Sequence, residues 1–222
     1  MKMGELLDGR IDRVRFVIIH GMGGIGKTTL AKVIFNEVSS EFQGCSFLEN
    51  IRESSRGNGI IKLQQQIMDD IFRMSVSIHN VDHGINEIKE GSRRNKKGLL
   101  VLDDVDDKDQ IQKLAGMFNW FGRGSRIIVP TRDSNVTPIE LKLYMKDKMQ
   151  NVEGEEDLGD IFFYKMRGMN HQHAATLFKT HAFGDDEYSF DDDDLLQKIV
   201  LLADGLPLTL RLAKQRKYGE NL

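Results

Sequence analysis

The sequence is poor in cysteine and has no long apolar run, and each shortage excludes a class of protein. The single cysteine among 222 residues, Cys45, cannot form an internal disulfide, which indicates a reducing compartment and a cytoplasmic protein. No apolar run approaches the roughly 18 residues of a membrane span, and the first residues carry no apolar signal core, so no membrane partner is expected. A net charge of −3 gives no general attraction to nucleic acid, so we expect no direct nucleic-acid partner.

What the sequence does contain is a regular alternation of short apolar runs and stretches with helical spacing. Apolar runs at 14–20, 45–50, 98–104 and 125–130 predict buried parallel strands. Helical spacing covers 28–38, 60–72, 85–90 and 108–115. Strands that alternate with helices of this length predict an α/β fold built on a doubly wound parallel sheet.

The character of the chain changes after residue 133. Residues 134–159 are polar and irregular, which predicts a long surface excursion. From residue 170 onward the spacing is helical again. We therefore predict two domains, a nucleotide-binding domain over 1–160 and a small, partial helical subdomain over 161–222.

The strongest motif is a glycine-rich stretch that follows the first predicted strand and precedes the first predicted helix. Gly21, Gly26, Lys27 and Thr28 satisfy the phosphate-loop pattern G-x-x-x-x-G-K-[ST], and we call residues 21–27 the glycine loop. Glycines let backbone N–H groups converge on an anion, and the next helix directs its positive N-terminus there. Lys27 adds an ammonium for the β- and γ-phosphates. The predicted nucleotide-binding residues of this stretch are Gly21, Gly23, Gly24, Ile25, Gly26, Lys27, Thr28 and Thr29.

Two acidic residues follow the apolar run 99–102, where the carboxyl end of a buried strand is predicted. Ligands bind at that edge of open α/β sheets. We predict that Asp103 and the Thr28 hydroxyl hold Mg²⁺, and that Asp104 orients or deprotonates an attacking water, which makes these acids the catalytic candidates. The alternative is that both acids only cap the next helix.

A third strand ends at "IIVPTRD", which places Arg132 where a cation could reach a γ-phosphate. On its own this arginine is weak evidence, because an arginine after a strand is usually a solvated loop residue. A second feature, His171-x-His173, does not predict a metal site, since residues two apart do not face each other on a helix. A helix-start cap or a surface position is the better interpretation of those histidines.

Together these motifs resemble the NB-ARC module of plant intracellular immune receptors, a P-loop NTPase family related to the apoptosome ATPase. Asp106 and "FLENIRE" resemble the subclass that carries a TIR domain, since the coiled-coil subclass usually has tryptophan at the position of Asp106. The matching stretches, in the family's order, are "GMGGIGKTTLAKVIFNEVSSEF", "CSFLENIRESS", "KGLLVLDDVD", "FGRGSRIIVPTRD", "HAATLFKTHAF" and "GLPLTL".

The resemblance implies roles beyond those that the residues predict. It implies that the strand ending at Arg132 lies between the first strand and the acidic strand, so that Arg132 senses the γ-phosphate. It also implies that Pro207 of "GLPL" contacts the nucleotide in a helical ARC-type subdomain. Such modules resemble switches, in which ADP holds a closed state, ATP favours an open, homo-oligomerising state, and slow Mg²⁺-dependent hydrolysis resets the switch.

The sequence also departs from the family's pattern. Pro130 stands where the family usually has threonine, and a proline in a central strand removes a ladder donor. The TIR domain, the winged-helix subdomain and the leucine-rich repeats are missing, which suggests a receptor fragment. One alternative is therefore a truncated interaction partner with a vestigial nucleotide site. Another is a small-molecule kinase, although no substrate lid is visible and "GLPL" argues against it.

Overall fold

The computed structural model of the protein describes residues 11–116, 120–132, 159–183 and 193–218. These residues divide into two compact units. The sheet unit contains the residues up to His20 and those from Thr28 to Lys165. The helical unit contains Gly21–Lys27, which is the glycine loop, and the residues from Met166 onward.

The sheet unit is built on a five-stranded parallel sheet with strand order β2-β3-β4-β1-β5. All five residues of β3 and all six of β4 are buried, so buried and exposed positions do not alternate along these interior strands. The strands are Val14–His20 (β1), Gly44–Leu48 (β2), Gly98–Leu102 (β3), Arg126–Thr131 (β4) and Gly159–Lys165 (β5).

The strand order decides which residues meet at the carboxyl edge of the sheet. β4 lies between β3 and β1, which confirms the order that the family resemblance implies. Arg126 of β4 pairs with both Arg15 of β1 and Leu99 of β3. Because the strands are parallel, the residues after β3 and after β4 emerge at the same edge.

Helices connect the strands, as the spacing of apolar residues predicts. A 3₁₀ turn, Ser39–Glu41, follows the first helix, and a π-helical turn, Met68–Phe72, extends the third. Asp107 caps the helix that begins at Lys108, in a capping box with Gln110. The helices of this unit are Lys27–Val38 (α1), Ile51–Ser54 (α2), Gly59–Ile67 (α3), Val81–Ser92 (α4) and Lys108–Leu114 (α5).

The core of the sheet unit lies between the strands and the helices that connect them. Phe72 and Phe121 stack in it with ring centroids 6.1 Å apart, which anchors the turn that precedes β4. Its larger described members with no exposed surface are Phe16, Ile18, Leu48, Ile51, Ile67, Met68, Ile71, Phe72, Ile88, Leu100, Leu102, Leu114, Ile127 and Val129.

The helical unit has its own smaller core. Its helices are His171–Phe183 (α6), Asp193–Ala203 (α7) and Pro207–Tyr218 (α8). The prediction that this region is helical from residue 170 onward is confirmed over the described residues. Among the side chains that the structure describes, the buried members of this core are Ala174, Phe178, Leu196, Val200, Ala203 and Leu210.

Strand β5 is an element that the sequence analysis does not predict. It pairs with β1 along its whole length, from Val14↔Gly159 to His20↔Lys165. The predicted excursion over 134–159 falls, up to residue 158, outside the described residues, and the domain division at residue 160 stays a prediction. Among the residues that the structure describes, no helix has the length and apolarity that crossing a bilayer requires.

Candidate functional site

The glycine loop surrounds a buried cation. It follows β1 directly and leads into α1, which begins at Lys27. The Lys27 side chain is 7% exposed, and its Nζ donates hydrogen bonds of 2.8 Å to the carbonyl oxygens of Gly21 and Met22. The loop therefore holds its ammonium close to its own backbone, where the first N–H groups of α1 also lack intrahelical partners.

One position in the loop requires glycine. Gly24 has a φ of +77°, in the left-handed region that residues with a side chain rarely adopt. A Cβ placed on Gly24 would lie 2.8 Å from the Cβ of Leu208, and the Leu208 N–H donates to the Gly24 carbonyl over 3.2 Å. Glycine is thus needed at position 24 both for the backbone conformation and for the close approach of Leu208.

The predicted Mg²⁺ ligands are brought together in the sheet unit. The Thr28 hydroxyl donates to the carboxylate of Asp103, with 2.9 and 3.2 Å between Oγ1 and the two oxygens. Asp103 is 5% exposed. Burial raises the pKa of this carboxyl, and the hydrogen bond from Thr28 opposes that shift.

The second acid, Asp104, is engaged by the predicted sensor arginine. Arg132 Nε and Nη2 donate to the two carboxylate oxygens of Asp104 over 2.9 and 2.7 Å, in a bidentate pair. Hydrogen bonds to Asp104 raise the pKa of the Arg132 guanidinium. Asp104 also has a φ of +56°, so its backbone turns sharply as it leaves the sheet. The strand order thus joins two residues that lie 28 positions apart in the sequence.

Helix α2 holds the backbone of both acids, a contribution that the sequence analysis misses. The Ile51 N–H donates to the Asp103 carbonyl over 2.8 Å, and the Arg52 N–H donates to the Asp104 carbonyl over 3.2 Å. Arg52 also forms a 3.2 Å ion pair with Asp106. The "FLENIRE" stretch serves in the sequence analysis only as a mark of subclass, although its last three residues, 51–53, lie directly after a predicted strand and could have indicated this support.

Pro130 interrupts the sheet less than its position in a central strand predicts. The β3–β4 ladder ends at Val101↔Ile128, two residues before the proline. The Pro130 carbonyl accepts from the Val105 N–H over 3.3 Å, and Thr131 forms an isolated bridge to Val105. The missing N–H therefore falls beyond the regular pairing with β3.

The "GLPL" segment forms the start of α8 in the helical unit. Pro207 is the first residue of α8, where its missing N–H costs no intrahelical bond, as predicted. Gly205 has a φ of +68°, and its carbonyl accepts from the Met169 N–H over 2.8 Å. A Cβ on Gly205 would lie 2.6 Å from the Met169 carbonyl oxygen, so this turn has room only for glycine.

The paired histidines are at a helix start, as expected. Helix α6 begins at His171, and the His173 N–H donates to the side chain of Asn170 over 2.8 Å. In the part of the chain that the structure describes, no group of three or more His, Cys, Asp or Glu side chains could hold a metal ion.

Comparison with known proteins places the chain in a family. The family model of the NB-ARC domain matches residues 2–179. Disease resistance protein RUN1 of Vitis rotundifolia is 40% identical over 201 residues, which are 90% of this chain and 14% of that protein. TMV resistance protein N of Nicotiana glutinosa is 35% identical over 219 residues, 95% of this chain and 17% of that protein. The chain thus spans a small part of these relatives.

Solved structures support the fold alone. The structure of the Aeropyrum pernix ORC2 protein in its ADPNP–ADP complexes matches this chain with a TM-score of 0.52 and 16% sequence identity. The match covers 97% of this chain and 58% of that one. This likeness confirms the parallel α/β fold. The family model matches most of the chain, and the relatives are plant disease resistance proteins. The chain therefore belongs to the NB-ARC domain family.

Proposed function

We propose that this protein is the ADP/ATP-binding switch module of a plant immune receptor. The observation that carries the proposal is the hydrogen bond between Thr28, which closes the phosphate-loop motif, and the buried carboxylate of Asp103. A hydroxyl and a carboxylate are the oxygen ligands that Mg²⁺ takes in nucleotide sites. The disease resistance relatives support a role in defence signalling.

The residues present fit a Mg·nucleotide. Lys27, enclosed by loop carbonyls, would bind the β- and γ-phosphates, while Thr28 and Asp103 would hold the metal. When bound, Mg²⁺ supplies charge neutralisation to the phosphate oxygens. The further predicted nucleotide contacts are Gly21, Gly23, Gly24, Ile25, Gly26, Thr29, Arg132 and Pro207.

The pairing of Arg132 with Asp104 supports slow rather than rapid hydrolysis. As long as both carboxylate oxygens accept from Arg132, Asp104 is poorly placed to take a proton from water. Any γ-phosphate that recruits Arg132 must also compete with Asp104.

In this proposal hydrolysis resets the switch, and the ATP-bound state forms homo-oligomers. A cytoplasmic location, expected from the lone Cys45, belongs to the same proposal, as do TIR, winged-helix and leucine-rich repeat partners.

Calorimetric titration of Mg·ADP and Mg·ATP into the wild-type chain and Lys27→Ala tests the proposal. Loss of a charge-assisted contact should weaken binding by about tenfold to a hundredfold. Lys62→Ala is the matched control, because Lys62 is exposed on α3, and it should bind as the wild type does. A folded wild-type chain that binds neither nucleotide would contradict the proposal and favour the interaction partner with a vestigial site.

A further inference from the structure

Two apolar side chains of the helical unit pack against the glycine loop. Leu208, the second residue of α8, meets Gly24 through its backbone N–H and its side chain. Met166 meets the two ends of the loop, since a Cβ on Gly21 would lie 3.2 Å from the Met166 Cβ, and one on Gly26 would lie 3.5 Å from its Cε. Gly21–Lys27 accordingly belong to the same compact unit as the residues from Met166 onward.

We propose that Leu208 is a positioning residue for the nucleotide, one that acts by holding the glycine loop at Gly24. This inference rests on the proposed function, because it assigns the loop a ligand. Glycine-rich backbone has many accessible conformations, and a ligand that orders it loses affinity in doing so. A neighbour that fixes the loop beforehand removes that loss.

Leu208 is itself held firmly enough to act on the loop. Pro207 fixes the first turn of α8, and Leu210, two residues further, is completely buried in the core of the helical unit. On the other side of Pro207, the Gly205 carbonyl accepts the 2.8 Å hydrogen bond from Met169. The Leu208 side chain therefore approaches Gly24 from a backbone that is fixed on both sides.

The alternative is that Leu208 is an ordinary surface leucine, since 49% of it is exposed. Leu212 lies one turn further along α8 and is 51% exposed, which makes Leu212→Ala a matched control for chemistry, exposure and helix propensity. Leu208→Met serves as the conservative variant, because methionine retains a flexible apolar side chain of similar volume.

The first measurement is hydrogen exchange of the peptide that covers the glycine loop, in nucleotide-free buffer with the full chain. Truncation of a half-buried leucine should speed exchange in Leu208→Ala by about three- to tenfold. Leu212→Ala and Leu208→Met should stay within about twofold of the wild type. A peptide from α6 provides the internal reference, because global destabilisation would speed its exchange as well. Met166→Ala, with Leu208 intact, should also speed exchange of the loop, because Met166 lies against Gly21 and Gly26.

The second measurement is ADP affinity of the same variants. Leu208→Ala should bind ADP about three- to tenfold more weakly, while Leu212→Ala binds as the wild type does. Unchanged loop exchange in Leu208→Ala, or equal changes in Leu208→Ala and Leu212→Ala, would overturn the inference. Absence of ADP binding by the wild type would instead overturn the proposed function, and the exchange rates would still decide whether Leu208 holds the loop.

Discussion

The acidic edge of the sheet unit and the glycine loop are held by different kinds of contact. At the acidic edge, Asp103 and Asp104 are fixed by charged or polar side chains, Thr28 and Arg132, in addition to the backbone of α2. In the glycine loop, the hydrogen bonds come from Lys27 and from main-chain N–H groups such as that of Leu208, and the rest of its position depends on backbone conformation and on apolar neighbours. Directional hydrogen bonds define the first region, and close packing defines the second. The two regions should therefore respond to different kinds of substitution.

The largest effect is expected from packing, in the variant Gly24→Ala. Left-handed backbone costs a residue with a side chain about 1–2 kcal/mol. The clash with Leu208 should add about 1–3 kcal/mol of overpacking. Gly57→Ala is the control, because Gly57 has a φ of +58° and a Cβ there would meet nothing within 4 Å. Denaturant unfolding measures the loss of unfolding free energy in Gly24→Ala and in Gly57→Ala.

A second variant separates the two costs at Gly24. Leu208→Ala added to Gly24→Ala should recover much of the stability that Gly24→Ala loses beyond Gly57→Ala. Equal losses of unfolding free energy in Gly24→Ala and Gly57→Ala would mean that the contact with Leu208 is not close enough to matter.

A smaller effect, a gain rather than a loss of unfolding free energy, is expected at the acidic edge for Asp103→Asn. Because burial raises the pKa of Asp103, the folded state disfavours the charged form, and removal of the charge should stabilise the metal-free protein at neutral pH. A gain of about 1 kcal/mol would raise Tm by roughly 2–4 °C in a chain of this size. As the pH falls through the folded-state pKa, wild-type Asp103 becomes neutral too and the difference should shrink.

Thermal unfolding at several pH values measures this effect. Asp109→Asn, in the first turn of α5, is the control, because Asp109 is exposed and its removal relieves no buried charge. A lower Tm for Asp103→Asn in metal-free buffer would show that the hydrogen bond from Thr28 outweighs the burial of the charge.

The smallest effect on stability is expected for Arg132→Ala. The pair with Asp104 is bidentate, but Arg132 is partly exposed, so its loss should cost about 0.2–1 kcal/mol of unfolding free energy. Arg56→Ala, which breaks the more exposed pair with Glu53, should cost no more than that. Arg132→Lys keeps the charge without the planar fork and should fall between the wild type and Arg132→Ala. A loss well above 1 kcal/mol would mean that the pair organises the edge of the sheet.

The sequence predicts the part of this molecule that depends on local pattern. The strands β1 to β4 and the helices α1, α3, α4 and α5 follow from apolar runs and helical spacing, and β1 is predicted residue for residue, whereas α2 is not predicted. Strand β5 is missed because its residues are mostly half-buried and it follows a long polar stretch, so pairing with β1 rather than its own pattern defines it.

The same distinction applies to the candidate site. The contact between Thr28 and Asp103 could be anticipated, since the motif and the end of a buried strand each predict one partner. The pair of Asp104 and Arg132 could not be anticipated from the residues themselves, because it depends on which strands are neighbours, and only the family resemblance implies that order. The contact of Leu208 with Gly24 joins residues far apart in the chain, and a leucine in "GLPL" gives no signal of such a role.

The support that α2 gives to the acidic edge has a consequence for which substitutions this protein can accept. The groups that hold the carbonyls of Asp103 and Asp104 are the main-chain N–H groups of Ile51 and Arg52. Every amino acid except proline carries that donor. Position 52, whose side chain is half-exposed, should therefore tolerate nearly any residue, and among substitutions there only Arg52→Pro should remove the donor to the Asp104 carbonyl. A site supported in this way can vary in sequence around its catalytic candidates while it keeps their geometry.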